Sequence, residues 1–497
     1  MVKNPFLLFL CMLCYLQLSA QNTVVRLSNG YIKGVVENSS LVFKGVPYAQ
    51  PPVRELRFKS PQPKKNWTDT LSCENFGNIA AQANSRDGLS GAENCLSLNV
   101  YTPAKTGKAK LPVLVWVHGG SMTAGAGKGE NGHAFSDRDS IITVTINYRL
   151  GVFGFLYLGD LGAGYRSSGN NGLMDCIMAL KWIRENISAL GGDPSKVTIM
   201  GESAGAKLIS ALLVSPQAKG YFQQMILESG SVQCIRDSVT AKAIRKRIMD
   251  TLQIIHPTDL LEISTEKLIN AQARVMGGAK GTNYFGPVED GKTITEDPYN
   301  YLKHHPDQSI KLLIGTNSAE SKMFMGFDQR LYHPDQKVLE DWFGNNSTLV
   351  SSAYQKASLQ LSSPAAAITT LTQYMYQMHS YRLAHVLANN GNHIFMYRFD
   401  YSKDHTGASH AQELQYVWYI PSNQSLNQSA AELGPQMHQA WVNFIKHGNP
   451  GKINHEQWPL YQTKTNAIFI FDQVSHPEVL KSVFNDADYP SAGFKLN

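Results

Sequence analysis

From Leu111 onward the chain alternates short apolar runs with longer stretches whose apolar residues recur at helical spacing. Leu111 to Val117 is almost unbroken apolar sequence, the pattern of a strand buried on both faces of a parallel sheet. Ile141 to Ile146 is a second such run, and Val197 to Met200, Met225 to Leu227, Leu312 to Ile314 and Ile394 to Phe399 continue the series. Between them Leu173, Ile177, Leu180, Ile183 and Ile187 keep a helical period until Gly191-Gly192 stops it. Pro435 to His447 reads as a helix that buries Met437, Trp441 and Phe444 and ends at Gly448-Asn449-Pro450. The alternation predicts an α/β fold, a doubly wound and mostly parallel sheet with long insertions. Ser231 to Lys280 and Met323 to Asn390 interrupt the rhythm, read as helical, and are expected to cap the mouth of the site.

Upstream, weak alternation around Asn29-Gly30 predicts a hairpin from Thr23 to Val36. Phe43 to Pro63, rich in proline and aromatics, reads as an extended surface loop packed by apolar anchors. Leu96 to Tyr101 is a further strand. No repeat or low-complexity linker divides the chain, so residues 21–497 are expected to form one domain.

Composition then narrows the class. With 43% apolar and 17% charged residues over 497 positions, the chain has enough apolar sequence for a large core and is not of disordered type. Its net charge of +6 is spread thinly, without the Lys/Arg block of a nucleic-acid footprint, so no nucleic-acid partner is expected. Residues 1–20 stand apart: Lys3, an apolar run from Phe6 to Leu16, then Gln17-Leu18-Ser19-Ala20. A basic start, a short apolar stretch and a small-residue end make a secretory signal, with cleavage expected after Ala20. The run is shorter than the roughly 20 residues a bilayer crossing takes, so no integral membrane segment is expected once it is removed. The mature chain is therefore expected to be secreted or periplasmic. It keeps Cys73, Cys95, Cys176 and Cys234. Cys176 falls in the helical pattern and is expected as a buried free thiol; Cys234 is left open.

The chemistry gathers at Gly201-Glu202-Ser203-Ala204-Gly205. The pentapeptide also arises by chance in glycine-rich turns. Here a β-branched run leads into it and a helix-forming segment leads out, which is the strand–turn–helix setting of a hydrolase nucleophile. A serine hydroxyl needs a base, and the base an orienting acid, which in such sheets follow the serine in the order acid, histidine. Glu320, just past the Lys311–Asn317 strand, stands where the acid belongs. His405 and His410 both lie in the loop after Ile394–Phe399, and spacing does not choose between them. The turn His118-Gly119-Gly120-Ser121 and the N–H of Ala204 offer donors for a developing oxyanion. No metal or organic cofactor is called for.

Several longer stretches carry a resemblance. Phe43-Lys-Gly-Val-Pro-Tyr48, Glu93-Asn-Cys-Leu-Ser-Leu-Asn-Val100, His118-Gly-Gly120, Asn147-Tyr-Arg-Leu-Gly-Val-Phe-Gly-Phe155 and Gly191 through Gly205 occur in this order. Together they resemble the type-B carboxylesterases of the carboxylesterase/cholinesterase family, which are α/β-hydrolases. The spacing from Ser203 to Glu320 and His410 is similar to that of its compact bacterial, p-nitrobenzyl-esterase-like members. The resemblance implies a serine esterase acting on small-molecule carboxylic esters, with Ser203 as nucleophile, His410 rather than His405 as base, and Glu320 as acid. It places the oxyanion donors on Gly120, Ser121 and Ala204, a tuning or structural carboxyl on Glu202, and a disulfide on Cys73–Cys95. In an oxidising compartment that bridge would close a loop of about 20 residues, a stabilisation of roughly 3 kcal/mol. The family also includes adhesion proteins that lack the nucleophile; here all three residues are present.

Three positions depart from the pattern. Ser121 stands where the family usually has a third glycine. The Cys73–Cys95 loop holds no tryptophan, so a choline-type substrate is not expected. Lys207 lies on the nucleophile helix where small residues are usual, and the sequence assigns it no role.

Overall fold

The structure, a computed structural model, describes residues 23–84, 88–104, 110–276, 278–421, 432–480 and 495; the expected signal segment lies outside them. Eleven strands form the main sheet: β1 (Val35–Glu37), β2 (Ser40–Pro47), β3 (Ser97–Pro103), β4 (Leu111–Val117), β5 (Ile142–Ile146), β6 (Gly192–Glu202), β7 (Gln224–Glu228), β8 (Lys311–Asn317), β9 (Ile394–Phe399), β10 (Ala467–Phe471) and β11 (His476–Val479). Their order is β11-β10-β9-β8-β7-β6-β4-β5-β3-β2-β1, which makes β6 the central strand. All pairs from β5–β4 through β9–β10 are parallel. The outer pairs β5–β3, β3–β2, β2–β1 and β10–β11 are antiparallel.

The unbroken apolar run of β4 has a direct structural reading. Val113, Val115 and Val117 join one buried cluster, whereas Leu114 and Trp116 join another on the opposite face. Successive side chains of a strand point to opposite faces, so a strand covered on both must be apolar at every position. Helix Asn171–Asn186 supplies Leu173, Ile177, Leu180 and Ile183 to the first cluster. The chain turns out of that region through Gly191 at φ 88°. Helix Leu433–His447 covers the other face with Met437, Trp441 and Phe444, and Gly448 ends it at φ 69°.

The N-terminal hairpin forms as expected, pairing Val24–Arg26 with Tyr31–Lys33, and Thr70–Ser72 adds a third, parallel strand to this small separate sheet. The segment expected to be a loop from Phe43 is strand up to Pro47. A register shift between Phe43 and Val46, with Gly45 at φ 65°, breaks its alternation and hides it from pattern reading. The motif residues around it are structural anchors. Arg57 grips Glu93 in a two-pronged pair at 2.8 and 2.9 Å, and Arg149 grips the fully buried Asp175 at 2.7 and 2.8 Å.

The expected Cys73–Cys95 disulfide is absent. Both residues are buried free thiols, each held by its own backbone segment. Cys73 donates its N–H to the Lys33 carbonyl, and its own carbonyl accepts from Lys44. Cys95 sits near the Asp175–Arg149 pair, and burial raises both thiols far above the ordinary range, Cys73 to about 12. Cys176 and Cys234 are likewise free and buried.

The two interrupting regions are helical. Ser238–Leu252 and Thr265–Met276 come from the first, and Ser321–Phe327, Gln336–Phe343, Ser347–Ser358, Ser363–Thr372 and Met378–Asn389 from the second. The second builds an apolar cluster of its own, including Phe324, Trp342, Leu371 and Tyr376, that shares no member with the clusters against the sheet. Among the described residues no helix is long and apolar enough to cross a membrane.

Candidate active site

Ser203 stands between the end of β6 and helix Ala204–Ser210, at φ 53° and ψ −119°. This is a sparsely populated backbone region for a residue with a Cβ, worth about 1–3 kcal/mol of strain held by its surroundings. The surroundings are visible. The Ser203 N–H donates to the Glu228 carbonyl at the end of β7 (2.8 Å), and the Ser203 carbonyl accepts from the Lys207 N–H (2.9 Å). The flanking glycines are required by contact: a Cβ on Gly205 would lie 2.0 Å from the Val117 carbonyl oxygen, and one on Gly201 would lie 2.7 Å from the Gly205 carbonyl carbon. Strand and helix can approach this closely only where both lack side chains.

β8 and β9 bring the other two predicted residues to the same place. Glu320, fully buried, accepts from Ser229 Oγ (2.5 Å) and the Asn317 N–H (2.8 Å) through Oε1, and holds His410 Nδ1 at 2.5 Å through Oε2. His405 is exposed on the same loop. Of the two loop histidines, His410 is the one whose ring meets Glu320. The His410 ring packs against Phe324 (5.3 Å between centroids) and Tyr376 (4.6 Å). Its Nε2 faces Glu202 Oε1 at 3.1 Å and the Tyr376 hydroxyl at 3.4 Å. The Tyr376 hydroxyl also lies near Ser203.

Glu202, Glu228, Glu320 and Glu413 crowd under the site, all buried. Burial first, then the neighbouring carboxylates Glu413, Glu320 and Glu228, push the Glu202 carboxyl well above its usual range. Its contact with His410 lacks hydrogen-bond alignment, and burial favours the neutral acid there over an ion pair. Glu413 is pushed to about 8 by burial and by Glu320, against an amide hydrogen bond from Asn317. Glu228, raised by burial and Glu413, accepts from Trp441 Nε1 at 2.8 Å. The His118 imidazole is held neutral by burial, its pKa lowered to about 4, and stacks on Tyr148 at 4.6 Å.

Beside Ser203, Gly120 at φ 104° and Ser121 at φ 55° carry the turn whose N–H groups, with that of Ala204, are the predicted oxyanion donors. Ser121 thus occupies the left-handed region, which favours the glycine it replaces. Ser121→Gly is expected to raise stability by about 0.5–1 kcal/mol, strain relief exceeding the added freedom of the unfolded chain. The urea midpoint measures this, and a lower midpoint contradicts it.

Reasoning from sequence missed Ser229 and Tyr376. Ser229 follows β7 at φ 53°, and its Ser-Gly dipeptide is a faint turn signal. Tyr376 lies in a π-helical turn, Gln373–Gln377, a local irregularity that often marks functional positions but has no sequence signature. Among the described residues no group of three or more His, Cys, Asp or Glu side chains is placed to hold a metal ion.

A central strand ending in a strained serine, followed in turn by strands carrying an acid and a histidine, defines a hydrolase of the α/β-hydrolase fold. The chain belongs to the Carboxylesterase family, whose profile matches residues 21–482. It is 34% identical over 480 residues to the para-nitrobenzyl esterase of Bacillus subtilis, covering 90% of this chain and 94% of that one. It is 28% identical to liver carboxylesterase 1F of Rattus norvegicus, covering 91% and 89%. The crystal structure of a Geobacillus stearothermophilus carboxylesterase superposes with a TM-score of 0.82 at 34% identity, covering 92% of this chain and 98% of that one. The protein is a carboxylic-ester hydrolase, and a purely adhesive role is set aside.

Proposed function

We propose that this hydrolase cleaves small carboxylic esters through an acyl-enzyme on Ser203. Ser203 Oγ attacks the ester carbonyl carbon while its proton passes to His410 Nε2, with the Tyr376 hydroxyl 3.4 Å from that nitrogen. Glu320 holds Nδ1, fixing the tautomer and stabilising the imidazolium that forms. N–H groups of Gly120, Ser121 and Ala204 receive the oxyanion, each donor worth about 3 kcal/mol. The imidazolium then gives its proton to the departing alkoxide, and a water, deprotonated by His410, releases the acid and restores Ser203. The observation that carries this reading is the 2.5 Å contact of buried Glu320 with His410, set beside the elbow that strains Ser203.

The test is covalent. A fluorophosphonate probe is expected to modify the protein once, at Ser203, and to stop hydrolysis of p-nitrophenyl acetate in step with labelling. Peptide mass spectrometry that finds the label elsewhere, or full labelling with activity intact, contradicts the mechanism. We also read residues 21–497 as one hydrolase domain and the chain as secreted or periplasmic, on the strength of its N-terminal pattern. An N-terminus at Gln21 in protein recovered from outside the cytosol is the expected result.

A further inference from the structure

Lys207 has no place in the steps above, yet its position is unusual. It lies one helical turn beyond Ser203, only 5% exposed. Its ammonium donates to Thr282 Oγ1 at 3.3 Å and stands 4.5 Å from the centroid of the Tyr376 ring. Glu320 and Glu202 act on it electrostatically, but among the described residues no carboxylate comes close enough to form an ion pair with it. Burial lowers its pKa to about 8, which leaves it mostly charged at neutral pH. A desolvated ammonium is unfavourable unless opposite charge meets it, and a pocket meant only for hydrocarbon would be better lined by methionine or leucine.

Lys207 lines a cleft whose other walls include Arg236, Phe324, Trp342, Tyr374 and His379. The Arg236 guanidinium is also buried and is oriented by the carbonyls of Gln233 and Thr282. Tyr376 belongs to the same lining, and it packs on the His410 ring and lies near Ser203. Two buried cations therefore share an aromatic-walled cavity one side chain away from the proposed nucleophile.

We propose that this cavity binds the carboxylate of an acid-bearing ester, with Lys207 as its principal partner, so that the preferred substrates carry an anionic group a few bonds from the ester carbonyl. The proposal rests on Ser203 being the nucleophile. The aromatic walls hold the short arm between ester and carboxylate, and Lys207 supplies the charge that the carboxyl-rich floor of the site does not.

The full chain would be assayed on two matched pairs. Mono-p-nitrophenyl glutarate against p-nitrophenyl pentanoate places the anion on the acyl arm; 4-acetoxybenzoate against 4-acetoxybenzamide places it on the alcohol arm. The wild type is expected to favour the anionic member of one pair by about tenfold or more in kcat/KM, as a charge-assisted contact would give, and the favoured pair identifies the arm. Lys207→Met, close in volume, is expected to cut that anionic-to-neutral ratio by about tenfold, chiefly through KM, with Lys207→Arg recovering part of it. Independently of any variant, glutarate is expected to inhibit pentanoate ester hydrolysis competitively and better than glutaramide. Hydrolysis of the neutral esters with no anionic preference in either pair, or an unchanged ratio in Lys207→Met, overturns this proposal and leaves the esterase mechanism standing. Hydrolysis that persists after Ser203 is fully labelled overturns the mechanism and the proposal with it.

Discussion

Ser203→Ala is expected to lower kcat for p-nitrophenyl acetate by about a millionfold, the scale reached when a serine nucleophile is removed from such a constellation. The substitution keeps the Cβ and the backbone contacts that hold the elbow, the Glu228 carbonyl accepting from residue 203 and the Lys207 N–H donating to it. Thermal unfolding should therefore shift little, which separates lost chemistry from lost fold. What remains should be a residual rate from bound substrate and oxyanion donors alone. A variant retaining more than about a tenth of wild-type kcat, far above that residue of activity, sinks the acyl-enzyme mechanism.

The second large effect is a contrast between two histidines five positions apart. His410→Ala should lose about 10⁴-fold or more in kcat/KM, because among the described residues His410 is the imidazole that Glu320 holds. His405→Ala should stay within about twofold, since its side chain is exposed, where substitutions are generally mild. Equal losses would show that the loop, and not the imidazole on Glu320, is what the reaction needs. Cavity effects at His410 are checked by comparing unfolding midpoints, since Phe324 and Tyr376 pack on its ring.

Much of this was legible in the chain itself. The apolar runs of β4 to β9 sit where the pattern puts them, because strands covered on both faces are dominated by apolar and β-branched residues, with buried threonines such as Thr143 and Thr145 the exceptions. The Ser203 elbow was legible for a similar reason, since its two glycines are forced by contacts of 2.0 and 2.7 Å that any side chain would violate. Choosing His410 needed either the resemblance or the structure. Spacing alone cannot say which of two loop residues turns inward. β2 was misread because its bulge at Gly45 breaks the alternation that marks a strand. The Cys73–Cys95 pairing came only with the resemblance, and the structure holds both as free thiols instead. Tyr376 could not have been found, since an aromatic in a helical stretch gives no sign that a π-turn aims its hydroxyl at a histidine.

The apolar cluster that carries Phe324, Trp342 and Tyr376 stands apart from the clusters that brace the sheet. Two of its members still reach the chemistry, Tyr376 and Phe324 packing on the His410 ring, while most of the cluster lies away from the strands. Substitutions in the helical layer can redraw the chamber around an ester while the strands that deliver Ser203, Glu320 and His410 keep their register. A lineage built on this plan can exchange one diet of esters for another by gradual repacking, without passing through forms in which the elbow has come apart.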